Sequence, residues 1–317
     1  MRRPSSFAPS AFKTVLYAIF NFRKGLSMQN YHLGCPIWSN KDWVGEFFSA
    51  DAKQKNFLPQ YASVFNTVEG NTTFYGLPTE KTLARWLDET PEGFKFALKF
   101  PRAISHDKRL KNVDAETDAF LNVLDTLKDR VGPSFLQLPP YFGPDDLPLL
   151  NDYLGALPYN FPYAVEIRHP AFFSGSEAAL NDILIAHKID RVVFDTRGLH
   201  NAKLDDPAGL EAQRKKPKVP VRFIATGPNP FMRFVGHPTV EENLPLLTEW
   251  APIVAQWIKE DRTPYIFMHA PDDLYAPRLA WHFHNLLTDH IDAGDMPTWP
   301  ADQKTEEPKE PNQMTLF

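Results

Sequence analysis

The chain has a single cysteine, Cys35, among 317 residues. That excludes a disulfide framework and a structural zinc site built on thiolates, and it points to the cytoplasm. Glycine is scarce, at 15 residues. The turn after the first apolar run, Gly34-Cys35-Pro36-Ile37-Trp38-Ser39-Asn40, holds one glycine, so it is neither a phosphate loop nor a dinucleotide fingerprint. Basic charge is not in excess either. The formal net charge is −5, which excludes a chain that is basic all over and leaves anion binding to a local cluster. The apolar stretch Val15–Phe22 is shorter than a membrane span and is broken by Asn21, so no membrane partner is expected.

What is present is the composition of a folded globular protein, with 43% hydrophobic, 13% aromatic and 23% charged residues. The 30 prolines imply many rigid loops. The length suits two small domains or one large barrel. Residues 1–30 carry Arg2, Arg3, Arg23 and Lys24 around the short apolar stretch, with no Ala-x-Ala cleavage site after it. They are expected to be an upstream extension, with Met28 the candidate first residue. At the other end, 291–317 is expected to be a flexible, acidic, proline-rich tail. Its last five residues, Gln313-Met314-Thr315-Leu316-Phe317, turn apolar again. This pentapeptide resembles the sliding-clamp-binding motif of bacterial replication and repair proteins. The resemblance implies that Leu316 and Phe317 fill an apolar pocket of the clamp while Gln313 hydrogen-bonds beside it.

Between the ends, short runs rich in Val, Ile, Phe and Tyr recur roughly every 30–40 residues, the repeat of a strand–helix unit. They are Tyr31–Ile37, Ser63–Glu69, Phe94–Phe100, Ser134–Leu138, Tyr163–Ile167, Arg191–Phe194, Phe231–Val235 and Tyr265–His269. Helical periodicity fills Thr79–Asp88, Asp114–Lys128, Glu177–His187, Glu241–Lys259 and Ala276–Leu287. The strands are apolar on both faces, as in a parallel sheet covered by helices. The expected fold is α/β, a single closed (β/α)8 TIM barrel over 31–290, with a doubly wound open sheet as the alternative.

In such a fold, ligands meet the carboxyl ends of the strands. Polar residues collect there: Trp38 after the first strand, Glu69 ending the second, Lys99 and His106 beyond the third, and Gln137 on the fourth. Glu166, Arg168 and His169 follow on the fifth, Asp195 on the sixth, Arg233 on the seventh and His269 on the eighth. Burying them unpaired is costly, so their grouping suggests a wet, charged mouth. Lys99, Arg168 and Arg233 together would bind an anion, with Glu166 or Asp195 as general base and a histidine, His269 among them, as acid. The competing arrangement is a divalent-metal set of Glu166, Asp195, His106, His169 and His269, although no His-Glu-x-x-His spacing occurs. Aromatic residues in the same loops, among them Trp38, Phe74, Tyr75 and Tyr141, would pack the rim or stack on sugars and bases.

Several segments come in a specific order: Gly34 to Trp43, Phe65-Asn66-Thr67-Val68-Glu69 through Thr73-Phe74-Tyr75, Phe96-Ala97-Leu98-Lys99 with Ser105-His106, Phe135 to Pro140, Val165-Glu166-Ile167-Arg168-His169, and Arg233-Phe234-Val235-Gly236-His237. Together they resemble the YecE-like family, domain of unknown function 72. The resemblance implies a TIM barrel with a pocket at the strand ends, and no established reaction. The family's architecture is similar to that of metal-dependent barrels, including endonuclease-type DNA-repair enzymes. After the last strand, where many family members carry an Asn-Asn pair, this chain has His269-Ala270-Pro271-Asp272-Asp273. Three functions are therefore expected to compete. The first is an enzyme, a phosphoester hydrolase for example, acting on a phosphorylated, anionic or nucleic-acid substrate. The second is a non-catalytic module tethered to the sliding clamp. The third is a metal-dependent hydrolase.

Overall fold

A strand overlaps each of the eight apolar runs: β1 (His32–Gly34), β2 (Thr67–Gly70), β3 (Lys95–Leu98), β4 (Ser134–Gln137), β5 (Tyr163–Glu166), β6 (Asp190–Asp195), β7 (Phe231–Val235) and β8 (Tyr265–His269). The computed structural model describes residues 30–303 apart from residue 206. Gln313, Leu316 and Phe317 lie outside the described residues, as does nearly all of the expected N-terminal extension. Helices follow the strands as the periodicity predicts: α2 (Glu80–Asp88), α3 (Asp114–Leu127), α5 (Glu177–Ala186), α8 (Leu244–Lys259) and α9 (Ala276–Thr288). Each turns its apolar stripe onto the sheet, for instance Leu247, Trp250, Val254 and Trp257 of α8. Shorter helices α1 (Phe57–Ala62), α4 (Leu147–Ala156), α6 (Arg197–Asn201) and α7 (Pro207–Lys215) complete the layer. None of the described helices is long and apolar enough to cross a membrane.

The strands do not join into the expected closed eight-stranded TIM barrel. They form a curled, open six-stranded parallel sheet in the order β1-β8-β7-β6-β5-β4 and a separate two-stranded parallel ribbon, β2-β3. The physical reason lies at the two seams. Between β1 and β2 one backbone bond remains, from Glu69 N to Cys35 O at 3.1 Å, and side chains supply the rest. Asn66 accepts from Leu33 N at 2.8 Å and donates to Tyr31 O at 2.9 Å. The Tyr61 hydroxyl accepts from Cys35 N at 2.7 Å and donates to Thr67 O at 2.9 Å. Gly34 permits this close approach, because a Cβ there would meet Thr67 O at 2.1 Å. Between β3 and β4 only single bridges occur, Phe96 with Val131 and Lys99 with Phe135.

Alternation along each strand builds two layers on the concave face. The first is apolar: Ala97, Phe135, Ala164, Val192, Phe231 and Phe267. Two residues further along the same strands stand Lys99, Gln137, Glu166, Phe194, Arg233 and His269. Strand period therefore turns an apolar floor into a polar mouth within one repeat. Beyond α9 the chain still packs on the molecule between 291 and 303: Trp299 meets the Phe47 ring at 5.4 Å, and Ala301 N donates to Phe47 O at 3.2 Å.

Candidate functional site

The centre of the mouth is Arg233. Its guanidinium is clamped by two carboxylates that are both fully buried, Glu69 and Glu166. Nε and Nη2 bond the two oxygens of Glu69 at 2.7 Å each, a bidentate fork, and Nη1 bonds Glu166 Oε2. The other Glu166 oxygen accepts from Arg168 Nε at 2.8 Å. Gln137 Oε1 then receives Arg168 Nη2 at 2.9 Å and Lys99 Nζ at 2.8 Å. On the far side Asn71 donates to Glu69 Oε1 at 2.7 Å, and His269 Nε2 lies 3.3 Å from Glu69 Oε2. The rings of Phe135 and Phe194 face Arg233 at 5.2 and 5.0 Å. Phe74 covers Lys99, with Nζ 4.1 Å from the ring centroid.

The titrations follow from this wiring. Burial alone would raise Glu166, but Arg233, Arg168 and Lys99 together bring it down to about 2. Burial likewise opposes ionisation of Glu69, and Arg233 and His269 hold it well below the carboxylate range. Both are permanent counter-ions. Burial, with Arg233 and then Arg168 nearby, brings the Lys99 ammonium down to about 8. Burial, Lys99, Arg168 and Arg102 push His106 down to about 4, so its imidazole is neutral at neutral pH. Burial also lowers His269, against the pull of Glu69. With both histidines neutral, the cations Lys99, Arg168 and Arg233 outnumber Glu69 and Glu166 by one charge. Lys216, after α7, and Asp273 act electrostatically on each other, burial lowering the ammonium and raising the carboxyl, so they add no net excess. Arg168 is the member that reaches solvent, with 17% of its side chain exposed.

The structure thus gathers Lys99, Gln137, Glu166, Arg168, Arg233 and His269, with His106 beside them against Phe74 at 5.1 Å. It does not bring in Asp195, His169 or Trp38. Asp195 pairs in register with Phe234, on the opposite parity from Arg233, and faces the helices. There it accepts from Trp250 Nε1 at 2.9 Å and Arg197 Nη2 at 2.7 Å. The imidazole of His169 accepts from Ala171 N at 3.2 Å and caps a short helical turn. Trp38 packs edge-on against Trp86 at 5.3 Å. The proposed metal donors are consequently dispersed. No hydrogen bond or ion pair links any two of Glu166, Asp195, His106, His169 and His269; His269 lies instead against Glu69, both of whose oxygens Arg233 holds. Among the described residues no group of three or more His, Cys, Asp or Glu is placed to hold a metal ion. Sequence reasoning places Glu69 at a strand end without a role, and does not find Lys216. Glu69 was legible as the polar end of the second strand, at the same parity as the others. Lys216 carries no local signal, because it follows a polar helix between β6 and β7, away from any strand end.

An α/β protein of eight parallel strands, with a buried arginine–carboxylate network at the strand carboxyl ends, is the class these features define. The chain belongs to the family described as "Protein of unknown function DUF72", whose model matches residues 32–304. It is 41% identical over 260 residues to the UPF0759 protein YecE of Escherichia coli K12, covering 81% of this chain and 92% of that protein. Its fold is similar to the crystal structure of a DUF72 family protein of Thermotoga maritima, with a TM-score of 0.62 at 21% identity, over 82% of this chain and 100% of that one. A DUF72 family protein of Enterococcus faecalis gives a TM-score of 0.61 at 18% identity, over 81% and 95% of the two chains.

Proposed function

We propose that the mouth binds the anionic group of a phosphorylated substrate and that the protein is an enzyme of the phosphoester-hydrolase class. The observation that carries this is the excess of buried cationic charge over carboxylate at the strand ends, with Lys99 and Arg168 converging on Gln137 Oε1. Arg233 is already saturated by Glu69 and Glu166, so it fixes the geometry from behind. Lys99 and Arg168 are the groups that meet substrate oxygens. Both Glu166 oxygens are engaged, one by Arg168 and one by Arg233, which leaves Glu166 a counter-ion. His106 is the neutral proton acceptor. Its Nδ1 lies 2.8 Å from Ser105 Oγ, and with the proton on Nδ1 the Nε2 lone pair is available. His106 takes a proton from the attacking water as the new phosphorus–oxygen bond forms. The Lys99 ammonium then gives its proton to the leaving oxygen as the old bond breaks.

Calorimetric titration with phenyl phosphate, and phosphate release from it, test the proposal. Wild type is expected to bind. Arg168→Ala and Lys99→Gln should each weaken binding about ten-fold or more, the loss of a charged hydrogen bond. Wild-type affinity should fall as pH rises through about 8, where Lys99 loses its proton. Absence of binding by folded wild type, or equal binding by all three proteins, overturns the proposal.

A further inference from the structure

One feature of the mouth exceeds the needs of a single phosphate. The connection from β3 to α3 carries Arg102, Lys108, Arg109 and Lys111 within ten residues, all exposed. Two of these are paired locally, Arg102 with Asp107 at 3.1 Å and Lys108 with Glu116 at 2.7 Å. Arg109 and Lys111 form no ion pair with any described residue. The backbone holding them is strained: Arg109, Leu110 and Asn112 have φ of 50°, 63° and 53°. Leucine rarely adopts the left-handed region, and the cost persists only where the surroundings enforce it. Here the buried Leu110 side chain is the anchor, and the flanking Arg109 and Lys111 are turned outward.

Aromatic faces interleave with these cations. Tyr75 is 83% exposed and Tyr141 51% exposed. They flank the covered lysine. Tyr75 meets Phe74 edge-on at 5.1 Å, Phe74 meets His106 at 5.1 Å, and Tyr141 donates its hydroxyl to His106 O at 3.3 Å. The Arg109 guanidinium lies 4.5 Å over the Tyr141 ring. A cleft of about 350 Å³ runs from Phe74 and Tyr75 to Arg102 and Ala103. Large exposed rings cost hydration free energy unless something covers them, and a flat partner is the natural cover.

We propose that this rim binds single-stranded nucleic acid, with bases stacked on Tyr75 and Tyr141 and neighbouring phosphates on Arg109 and Lys111 while one phosphate enters the mouth. This rests on the anion-binding reading above and names its substrate class. Several cations spaced along one loop match a chain of phosphates rather than one. Exposed rings between them require unpaired bases, because a duplex hides base faces. The net charge of −5 confines contact to this rim, so affinity should be modest and steeply salt-dependent.

The test uses fluorescence anisotropy with a labelled oligo-dT about ten nucleotides long. Phenyl phosphate calorimetry on the same proteins is the second arm. The variants are Tyr75→Ser and the double variant Arg109→Asn/Lys111→Gln; asparagine suits the left-handed backbone at 109. Wild type is expected to bind the oligonucleotide, and a matched duplex to compete poorly. Each variant should lose about ten-fold in oligonucleotide affinity and leave phenyl phosphate binding unchanged. The double variant should also flatten the dependence of log affinity on log salt by about 1.4, two phosphate contacts' worth. Phenyl phosphate binding without oligonucleotide binding overturns this inference alone, as does oligonucleotide binding indifferent to all three substitutions. Failure of both ligands to bind overturns the inference together with the mouth reading beneath it.

Discussion

Glu166 and Asp190 are almost equally inaccessible, at 0% and 1% exposure, and titrate in opposite directions. Glu166 ends β5 among Arg233, Arg168 and Lys99 and is brought down to about 2. Asp190 begins β6 at the other end of the sheet, and burial pushes it up to about 7. Its Oδ2 accepts from Asn229 N at 2.9 Å, while Oδ1 has no partner among the described residues. The folded carboxyl therefore holds its proton well above the unfolded value of about 3.8. Between those two values the folded state binds more protons, so Asp190 lowers stability progressively as pH rises from about 4 to about 7, and the loss is complete above that. Asp190→Asn should stabilise the protein by on the order of 2–4 kcal/mol near pH 8 and little near pH 4. Chemical denaturation of both proteins at the two pH values checks this, and a gain that did not change with pH would refute it.

At the scale of elements, the seam between β1 and β2 is the telling feature. Sequence patterns locate the strands because β-branched and aromatic runs between turns are a local signal. Phe231–Val235 and Tyr265–His269 fall where the pattern puts them. What each strand pairs with is not local. Tyr61 and Asn66 sit ahead of β2 as ordinary polar or aromatic residues, and only the folded chain shows that they stand in for ladder hydrogen bonds. Tyr61→Phe keeps the ring and deletes one oxygen, leaving Cys35 N and Thr67 O buried without it. A loss of about 2–4 kcal/mol is expected, read from the denaturation midpoint, because each stranded backbone group costs about 1–3 kcal/mol. An unchanged midpoint would mean that water or a shifted strand replaces the hydroxyl. Strand parity explains the site's legibility in the same terms. Lys99, Gln137, Glu166, Arg233 and His269 share one parity and converge. Asp195 is one residue off that phase, and its carboxylate went to Trp250 and Arg197 instead.

For the whole molecule, the strand β1 near the start and the segment after α9 are held together. Tyr31 and Gly294 bond opposite nitrogens of His284, at 2.5 and 3.0 Å. Trp299 covers Phe47, and Phe47 stacks on Phe65 at 5.5 Å. A chain ending at Asp292 should therefore be less stable than one ending at Gln303, by about 2–4 kcal/mol, since it uncovers Phe47 and leaves His284 short of a partner. Thermal unfolding of the two truncated proteins measures the difference. Equal midpoints would show that residues 293–303 add nothing to the fold.

The sequence by itself determined the α/β class, the eight strands, the principal helices and the polar character of the strand ends. Those follow from periodicity, which a single chain carries locally. Only the tertiary structure decided that the strands form an open six-stranded sheet beside a two-stranded ribbon, that Glu69 rather than Asp195 faces Arg233, and that His269 touches it. Ladder closure and side-chain convergence depend on residues 164 and 200 positions apart, brought within hydrogen-bond reach by packing that no local pattern encodes.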